Sequence, residues 1–397
     1  MSEINAKPLA GIKVLEFGQI AAGPFAGSLF ADLGADVVKV ERPDGGDGLR
    51  SWPPLTEGPN GNAFSENFAS LNRNKRSITA DLKNASDLAY LKQLVGVCDI
   101  VLENFRPGVL QRLGLGYEEL RTLNPKLIYC SVSGFGQTGP NANVGAFDVT
   151  VQGFSGLMSV TGEAEGSPIK CGVPVGDFCA GLYAGYTVLA RLLQAQQTGN
   201  GAYIDCTMLG SLIGVAALQT SEYFGTGRTP QALGSAHPRN APYQAFRGSD
   251  DYFIIAAGND RLWSEVARAA GLPQLTEDPR FATQILRAEN QGALAEMLQA
   301  EFVKHTASFW LEEMERRNVP CSPISTYPEV LEGEQIAHMK LVRPLVLPNG
   351  SETRTTAFPI GMTDFEFEIY RPPPPLGAHN DDVADDWLGH LDKGSAT

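Results

Sequence analysis

The side chains in this sequence that could handle a charged ligand gather where apolar, strand-like runs end. Gln19-Ile20-Ala21-Ala22-Gly23 is a small-residue loop running into a helix start, where unpaired backbone N–H groups receive anions. Arg42 follows Glu41 at the end of a second run and supplies a guanidinium suited to phosphate. Asn104 and Phe105 follow Glu103 at the end of a third, an amide and an aromatic face that suit an adenine. Arg112 comes shortly afterwards, and NRNKRS (Asn72 to Ser77) with Lys83 adds positive charge. An arginine after a strand is commonly just solvated, and Lys83 before Asn84 could merely flank a helix. The convergence of these residues on one edge is what describes a phosphorylated, adenine-bearing ligand.

Charge makes that convergence informative. The formal net charge is −14, which disfavours non-specific nucleic-acid binding and means that a polyanion must be received locally, against the global field. Gly134-Phe135-Gly136-Gln137-Thr138-Gly139 matches GxGxxG after a strand-like run, but Pro140 and a polar loop follow in place of a helix. A dinucleotide fingerprint belongs in the first β-α-β unit, so no nicotinamide cofactor is expected. The five histidines are scattered and the six cysteines form no CxxC pair, so no metal site is predicted. The thiols suit a reducing compartment, and the N-terminus lacks the pattern of a signal peptide. The expectation is a cytoplasmic protein that does not cross a membrane. Asp177, in GVPVGDFCAG, precedes an Ala- and Leu-rich run; on spacing alone it reads as a helix N-cap.

These residues need a scaffold that lines up strand ends. The strand-like segments Gly11 to Phe17, Ala35 to Arg42, Cys98 to Phe105 and Leu127 to Ser133 alternate with helical spacing at Gly23 to Gly34 and from about Ser86. Repeated β-α-β units imply a Rossmann-like parallel sheet with helices on both faces, and in such sheets ligands sit beyond the carboxyl ends of the strands. Asp177 to Gln197 reads as a buried helix, and a Gly/Thr-rich linker spans about Phe224 to Gly234. APYQAFRG and DYFIIAAG then suggest an antiparallel pair followed by three helices, a smaller α+β domain. The 397 residues divide as 1–222 (large domain), 223–330 (small domain with linkers) and 331–397, whose RPPPPLGAHNDD needs a surface to dock on.

Several long blocks carry a resemblance: PLAGIKVLEFGQIAAGPFAGSLFADLGADVVKVERPDGGD, LNRNKRSITADLK, VLENFRPGVLQRLGLGYEEL and SGFGQTGP. The sequence resembles the class III CoA-transferases nearly end to end, a family that includes formyl-CoA transferase, carnitine CoA-transferase, succinyl-CoA-dependent dicarboxylate transferases and the α-methylacyl-CoA racemases. The resemblance implies CoA contacts at Ile20, Ala21, Ala22, Arg42, Lys83, Asn104, Phe105, Arg112 and Leu113. It implies a thioester-lining loop of Gly145, Phe147 and Asp148, a nucleophile at Asp177 and a substrate-gating Trp52. It also implies an obligate, interlocked homodimer in which each ring-like chain threads its partner. Coenzyme A and acyl-CoA would be substrates, and no cofactor would be permanently bound.

Three readings stay open at this stage. In a transferase, Asp177 would carry an acyl anhydride and then a CoA thioester, moving CoA from an acyl-CoA, succinyl-CoA by resemblance, to a dicarboxylic acid. A racemase needs a second proton-transfer group, and the position of the family's histidine falls on Phe147, which cannot supply one. A non-catalytic CoA-binding protein would keep Asp177 as a cap. LGSAHPRNAPYQAF resembles members that use dicarboxylates, so that His237 and Arg239 could receive a distal carboxylate; equally, His237 could be a plain loop residue before Pro238.

Overall fold

Apolar runs of strand length build a six-stranded parallel sheet in the computed structural model, which describes residues 7–389. Residues 1–6, the start of the N-terminus that lacks a signal-peptide pattern, and 390–397 lie outside the described residues. In chain order the first elements are β1 (Lys13–Phe17), α1 (Ala22–Asp32), β2 (Asp36–Glu41), β3 (Arg76–Thr79), α2 (Ala85–Val97), β4 (Ile100–Glu103) and β5 (Ile128–Ser133). They are followed by α3 (Asp148–Phe154), α4 (Val175–Thr198), β6 (Ala202–Thr207) and α5 (Met208–Val215). The strand order is β3-β2-β1-β4-β5-β6, the doubly wound order whose switch point lies between β1 and β4. The sequence expectation of a parallel sheet is met, and the loops after β1 and β4 are therefore adjacent.

The strands from β1 to β5 are buried on both faces, which is why their runs read as nearly continuous apolar stretches, whereas edge strand β6 alternates buried and exposed residues. Val14, Val37, Ile100 and Ile128 pack with Phe30 of α1 and Ala180, Ala184 and Val188 of α4. Leu15, Phe17, Val38, Val40 and Val101 face the other layer, with Leu91, Leu94 and Val95 of α2. One row breaks the pattern. Register places Glu16 opposite Lys39, and both side chains are fully buried. Lys39 Nζ lies 3.0 Å from one Glu16 oxygen and the equally buried Lys75 Nζ lies 2.8 Å from the other. Lys75 also donates to Pro24 O and Asn72 Oδ1. A Cβ at Gly27 would collide with Glu16 Oε2, so α1 can approach this row only because glycine stands there.

NRNKRS does not add free positive charge at the strand ends, as the sequence suggested. Arg76 to Ser77 open the edge strand β3, and Arg73 pairs with Asp32, Lys75 with Glu16, and Arg76 with Asp36 and Asp386. The cluster is structural because each cation finds a carboxylate across the sheet or from the chain's far end.

By compactness the described chain forms two units. The first takes in the chain to Leu157, Cys171–Ser221 and the chain from Glu334; the second is Met158–Lys170 and Glu222–Gly333. In the second, β7 (Tyr243–Arg247), β8 (Tyr252–Ala256) and β9 (Cys321–Pro323) form an antiparallel sheet. Phe246, Phe253, Trp263, Phe302 and Trp310 pack its core with α6 (Asp260–Ala269), α7 (Gln291–Phe302) and α8 (Ala307–Arg316). The first unit ends with the hairpin β10 (Val342–Val346) and β11 (Glu352–Thr356), then α9 (Asn380–Leu388). The proline-rich segment docks on this unit: Arg50 donates to Pro374 O at 3.1 Å, His379 N–H to Ser77 O at 3.0 Å, and Thr79 N–H to Asn380 Oδ1 at 2.8 Å. Among the described residues no helix is long and apolar enough to cross a membrane.

Breaking the buried row leaves Lys75 without a carboxylate in a site closed to water. Glu16→Gln is expected to destabilise the protein by about 3–5 kcal/mol, read as a lower urea midpoint at pH 7.

Candidate active site

The loop that leaves β1 is fixed by side chains from two other loops. Asn104, just past β4, accepts Gln19 N–H and donates to Gln19 O, both at 2.8 Å. Its amide is thus committed to backbone, although the side chain still lines the cleft below. Asp47 accepts Ile20 N–H. Ala21 and Ala22 then open α1, and their own N–H groups have no acceptor among the described residues.

Asp177 reaches the same place from α4. The helix starts two residues earlier than the spacing suggested: Pro174 occupies the cap position and Asp177 lies in the first turn. The missing cap is supplied from α3, where Asp148 accepts Gly176 N–H at 2.7 Å. Gln152 donates to the other Asp148 oxygen at 2.6 Å and accepts Cys171 N–H at 2.8 Å, so α3 ties down both ends of the segment leading to Asp177. A Cβ at Gly176 would stand 2.9 Å from Asp148 Oδ1, which makes glycine the residue that permits this clamp. Small residues also bring α4 against α1. At Gly181 a Cβ would lie 2.7 Å from Phe25, and the Phe25 and Phe178 rings are 4.7 Å apart.

Half-buried Asp177 receives no hydrogen bond from any described residue. Burial, with a smaller push from the negative charge of Asp148, raises its pKa to about 7. Desolvation of the carboxylate is the larger of the two causes.

Two clefts open at the switch point. The first, of about 300 Å³, is lined by Asp177, Asp148, Phe147, Ile20, Ala21, Ala22 and Asn104, with Phe135, Val132 and Met208 as apolar wall. The second, of about 450 Å³, is lined by Arg42, Lys83, Arg112, Leu113 and Val40. Gln19 and Phe105 line both, so the two adjoin. The exposed side chains of Arg42, Lys83, Arg112 and Arg106 join no ion pair among the described residues. In a chain of net charge −14, cations without an ion-pair partner beside one aromatic ring have the chemistry that a phosphorylated ligand would require.

The remaining sequence candidates fall elsewhere or only at the margin. Gly145 stands next to the cleft-lining Ala146, with the Arg106 guanidinium 3.4 Å from where its Cβ would be. Phe147 is 72% exposed and lines the cleft. Trp52 closes a short turn over Gly48–Ser51 and lines neither cleft. His237 and Arg239 belong to the second unit, where the His237 ring packs on Tyr243 and Arg239 is paired with Glu222 at 2.9 Å. Sequence reasoning missed Asp47, Arg106 and Gln152. For Asp47 the only available signal was its place among the glycines of the GGDG run.

With this geometry in hand, the relatives are informative. Residues 9–380 match the model of CoA-transferase family III. The chain is 40% identical over 378 residues to the succinate–glutarate CoA-transferase of Agrobacterium fabrum, covering 95% of this chain and 94% of that one. It is 36% identical over 392 residues to the succinyl-CoA–D-citramalate CoA-transferase of Chloroflexus aurantiacus, covering 98% and 96%. The crystal structure of a CAIB/BAIF family protein from Brucella suis matches with a TM-score of 0.85 at 36% identity, covering 96% of this chain and 100% of that one.

The raised pKa of Asp177 has a consequence for stability. Between its ordinary 3.8 and about 7, the folded protein holds a proton that the unfolded chain has released. Stability is therefore lost as pH rises through this range, and the loss is complete above 7. A pKa difference of one between folded and unfolded chain is worth about 1.4 kcal/mol, to be discounted here for a partly solvated carboxylate. Asp177→Asn should be more stable than wild type by about 1–2 kcal/mol at pH 8 and no more stable at pH 4, measured by chemical denaturation.

Proposed function

The chain belongs to CoA-transferase family III, enzymes that transfer coenzyme A, and from that premise we propose that it moves CoA from succinyl-CoA to a dicarboxylic acid through Asp177. The observation that carries the reading is one carboxylate, free of protein hydrogen bonds, facing a cleft that adjoins a cation-lined one. The adenine and phosphates of CoA would lie by Phe105, Arg42, Lys83 and Arg112, and the thioester would reach past Gln19 to Asp177. The similar transferases that act on glutarate and citramalate support a dicarboxylate acceptor.

The steps follow from the residue. Ionised Asp177 attacks the thioester carbonyl and expels CoA thiolate, leaving a mixed anhydride. The thiolate attacks the aspartyl carbonyl and releases the first acid, leaving an aspartyl-CoA thioester. The acceptor carboxylate attacks that thioester, giving a second anhydride and free thiolate. Attack by thiolate on the acceptor's carbonyl forms the new acyl-CoA and returns Asp177. The N–H groups of Ala21 and Ala22 are available to the oxyanion of each tetrahedral intermediate. Apolar side chains around Asp177 limit water, which would hydrolyse the anhydride.

Two observations support transfer over its alternatives. Phe147 lines the cleft without an atom that can exchange a proton, as racemisation would require. Asp177 is not the cap of its helix, so the structural role that a non-catalytic protein would give it is already filled by Asp148.

An interlocked homodimer is part of the same proposal. Leu182, Tyr186 and Leu193 on α4 are 53%, 62% and 62% exposed, an apolar strip that a second chain would cover. The six free thiols support a cytoplasmic setting.

Asp177→Ala should lose CoA exchange between succinyl-CoA and glutarate by about 10³-fold or more, and full retention would sink the mechanism. Succinyl-CoA with hydroxylamine or borohydride should modify wild type at Asp177, seen by peptide mass spectrometry. Because the carboxylate must be ionised, kcat/KM should fall about tenfold per pH unit below an apparent pKa near 7. Asp148→Asn should move that limb only part of the way toward the ordinary carboxylate range, because burial is the larger cause of its displacement. Sedimentation at micromolar concentration should show a dimer and no monomer.

A further inference from the structure

The loop between β1 and α1 is held in a conformation that its sequence resists. Ile20 has φ +64°, in the left-handed region, where a β-branched side chain is strained. Such a conformation persists only if its surroundings impose it. Both carboxylate oxygens of Asp47 accept Ile20 N–H, at 3.1 and 3.2 Å. Asp47 is 2% exposed and itself held on three sides. It lies 2.9 Å from Lys39 Nζ, accepts Leu49 N–H at 2.9 Å, and donates its own N–H to Glu41 Oε2 at 2.9 Å. Lys39 also donates to Gly18 O at 2.5 Å. A buried, charged frame thus reaches the loop at residues 18 and 20, while Asn104 brackets residue 19.

The strained residue sits immediately before the two amides that lack an acceptor, and Ile20, Ala21 and Ala22 all line the Asp177 cleft. If Ile20 relaxed to a negative φ, the backbone beyond it would turn and those N–H groups would leave their present direction. We propose that Asp47 is a positioning residue for the reaction: by pinning Ile20 in the left-handed conformation it fixes where the Ala21 and Ala22 N–H groups meet the thioester carbonyl. This rests on the reading of Asp177 as nucleophile. Asp47 touches no reacting atom, and the one tie from the neighbouring cleft to this turn, Arg42 Nε–H to Gly46 O at 2.9 Å, goes to backbone and not to the Asp47 carboxylate. Its loss should therefore fall on kcat and leave CoA affinity nearly unchanged.

Removing Asp47 alone would strand the Lys39 charge, so the test keeps charge balanced. Lys39→Met/Asp47→Ala and Lys39→Met/Asp47→Asn each lose one charge of either sign, but only the second keeps an oxygen for Ile20 N–H. In succinyl-CoA:glutarate exchange the alanine pair should show a kcat about 10²-fold below the asparagine pair. The Kd for CoA by calorimetry should agree between them within about threefold. Glycine adopts the left-handed region freely, so in an Ile20→Gly background with Lys39 kept, Asp47→Ala should show a kcat less than about fivefold below Asp47→Asn, two variants that strand Lys39 alike. That second comparison decides the matter if the Lys39→Met pairs do not fold. Equal kcat in the two pairs, or an undiminished cost in the Ile20→Gly background, overturns the proposal. If wild type exchanges and Asp177→Ala does not, such a result leaves the nucleophile standing. No exchange by wild type overturns both.

Discussion

Glu16 shared between two fully buried lysines is the constraint on which the first unit is built. A buried carboxylate with two cations cannot be left half-made, because each unpaired charge would meet a medium unable to solvate it. Satisfying it aligns β1 with β2 through Lys39, brings in the chain before β3 through Lys75, and sets how near α1 lies through Gly27. Lys39 extends the arrangement to Asp47, and Glu41 links Asp47 to Arg50 and Ser77. Geometry at the ligand edge is thereby coupled to sheet register. Burial pulls the pKa of Lys75 down to about 8, so the row sits close to the limit of what the interior tolerates in charged form.

The scaffold was legible because its signal is local. Apolar runs of strand length alternating with helical spacing pointed to the parallel sheet, and the residues at strand ends were the ones that line the clefts. Charge was harder to read. NRNKRS and Arg42 look equally basic in sequence, yet the former is consumed by Asp32, Glu16, Asp36 and Asp386, residues up to hundreds of positions away. Whether a cation is free depends on pairings that no local pattern carries. The same holds for Asp177: its place before a helical run suggested a cap, but the acceptor came from Asp148, outside the helix. Asp47 stayed hidden because a carboxylate among glycines usually marks a turn.

Asp177 also shows how stability and chemistry oppose one another in the proposed reaction. The apolar enclosure that guards an anhydride against water is the enclosure that makes the free carboxylate costly. A carboxylate stripped of hydrogen-bond donors is a better nucleophile once ionised, but fewer molecules hold it so near neutrality. The clamp of Asp148 and Gln152 is then needed to keep a destabilised side chain in one place.

The docking of the last segment has a meaning for how the molecule is made. Edge strand β3 receives its outer hydrogen bonds from Gly377, His379 and Asn380, and Arg76 its second carboxylate from Asp386. On the ribosome, β3 is finished some three hundred residues before those partners appear. The entire second unit is synthesised in the interval. The nascent sheet must therefore wait with an open edge, and Lys83, four residues beyond that edge strand, lines a cleft whose walls are all synthesised once Leu113 is added, long before the segment that covers β3.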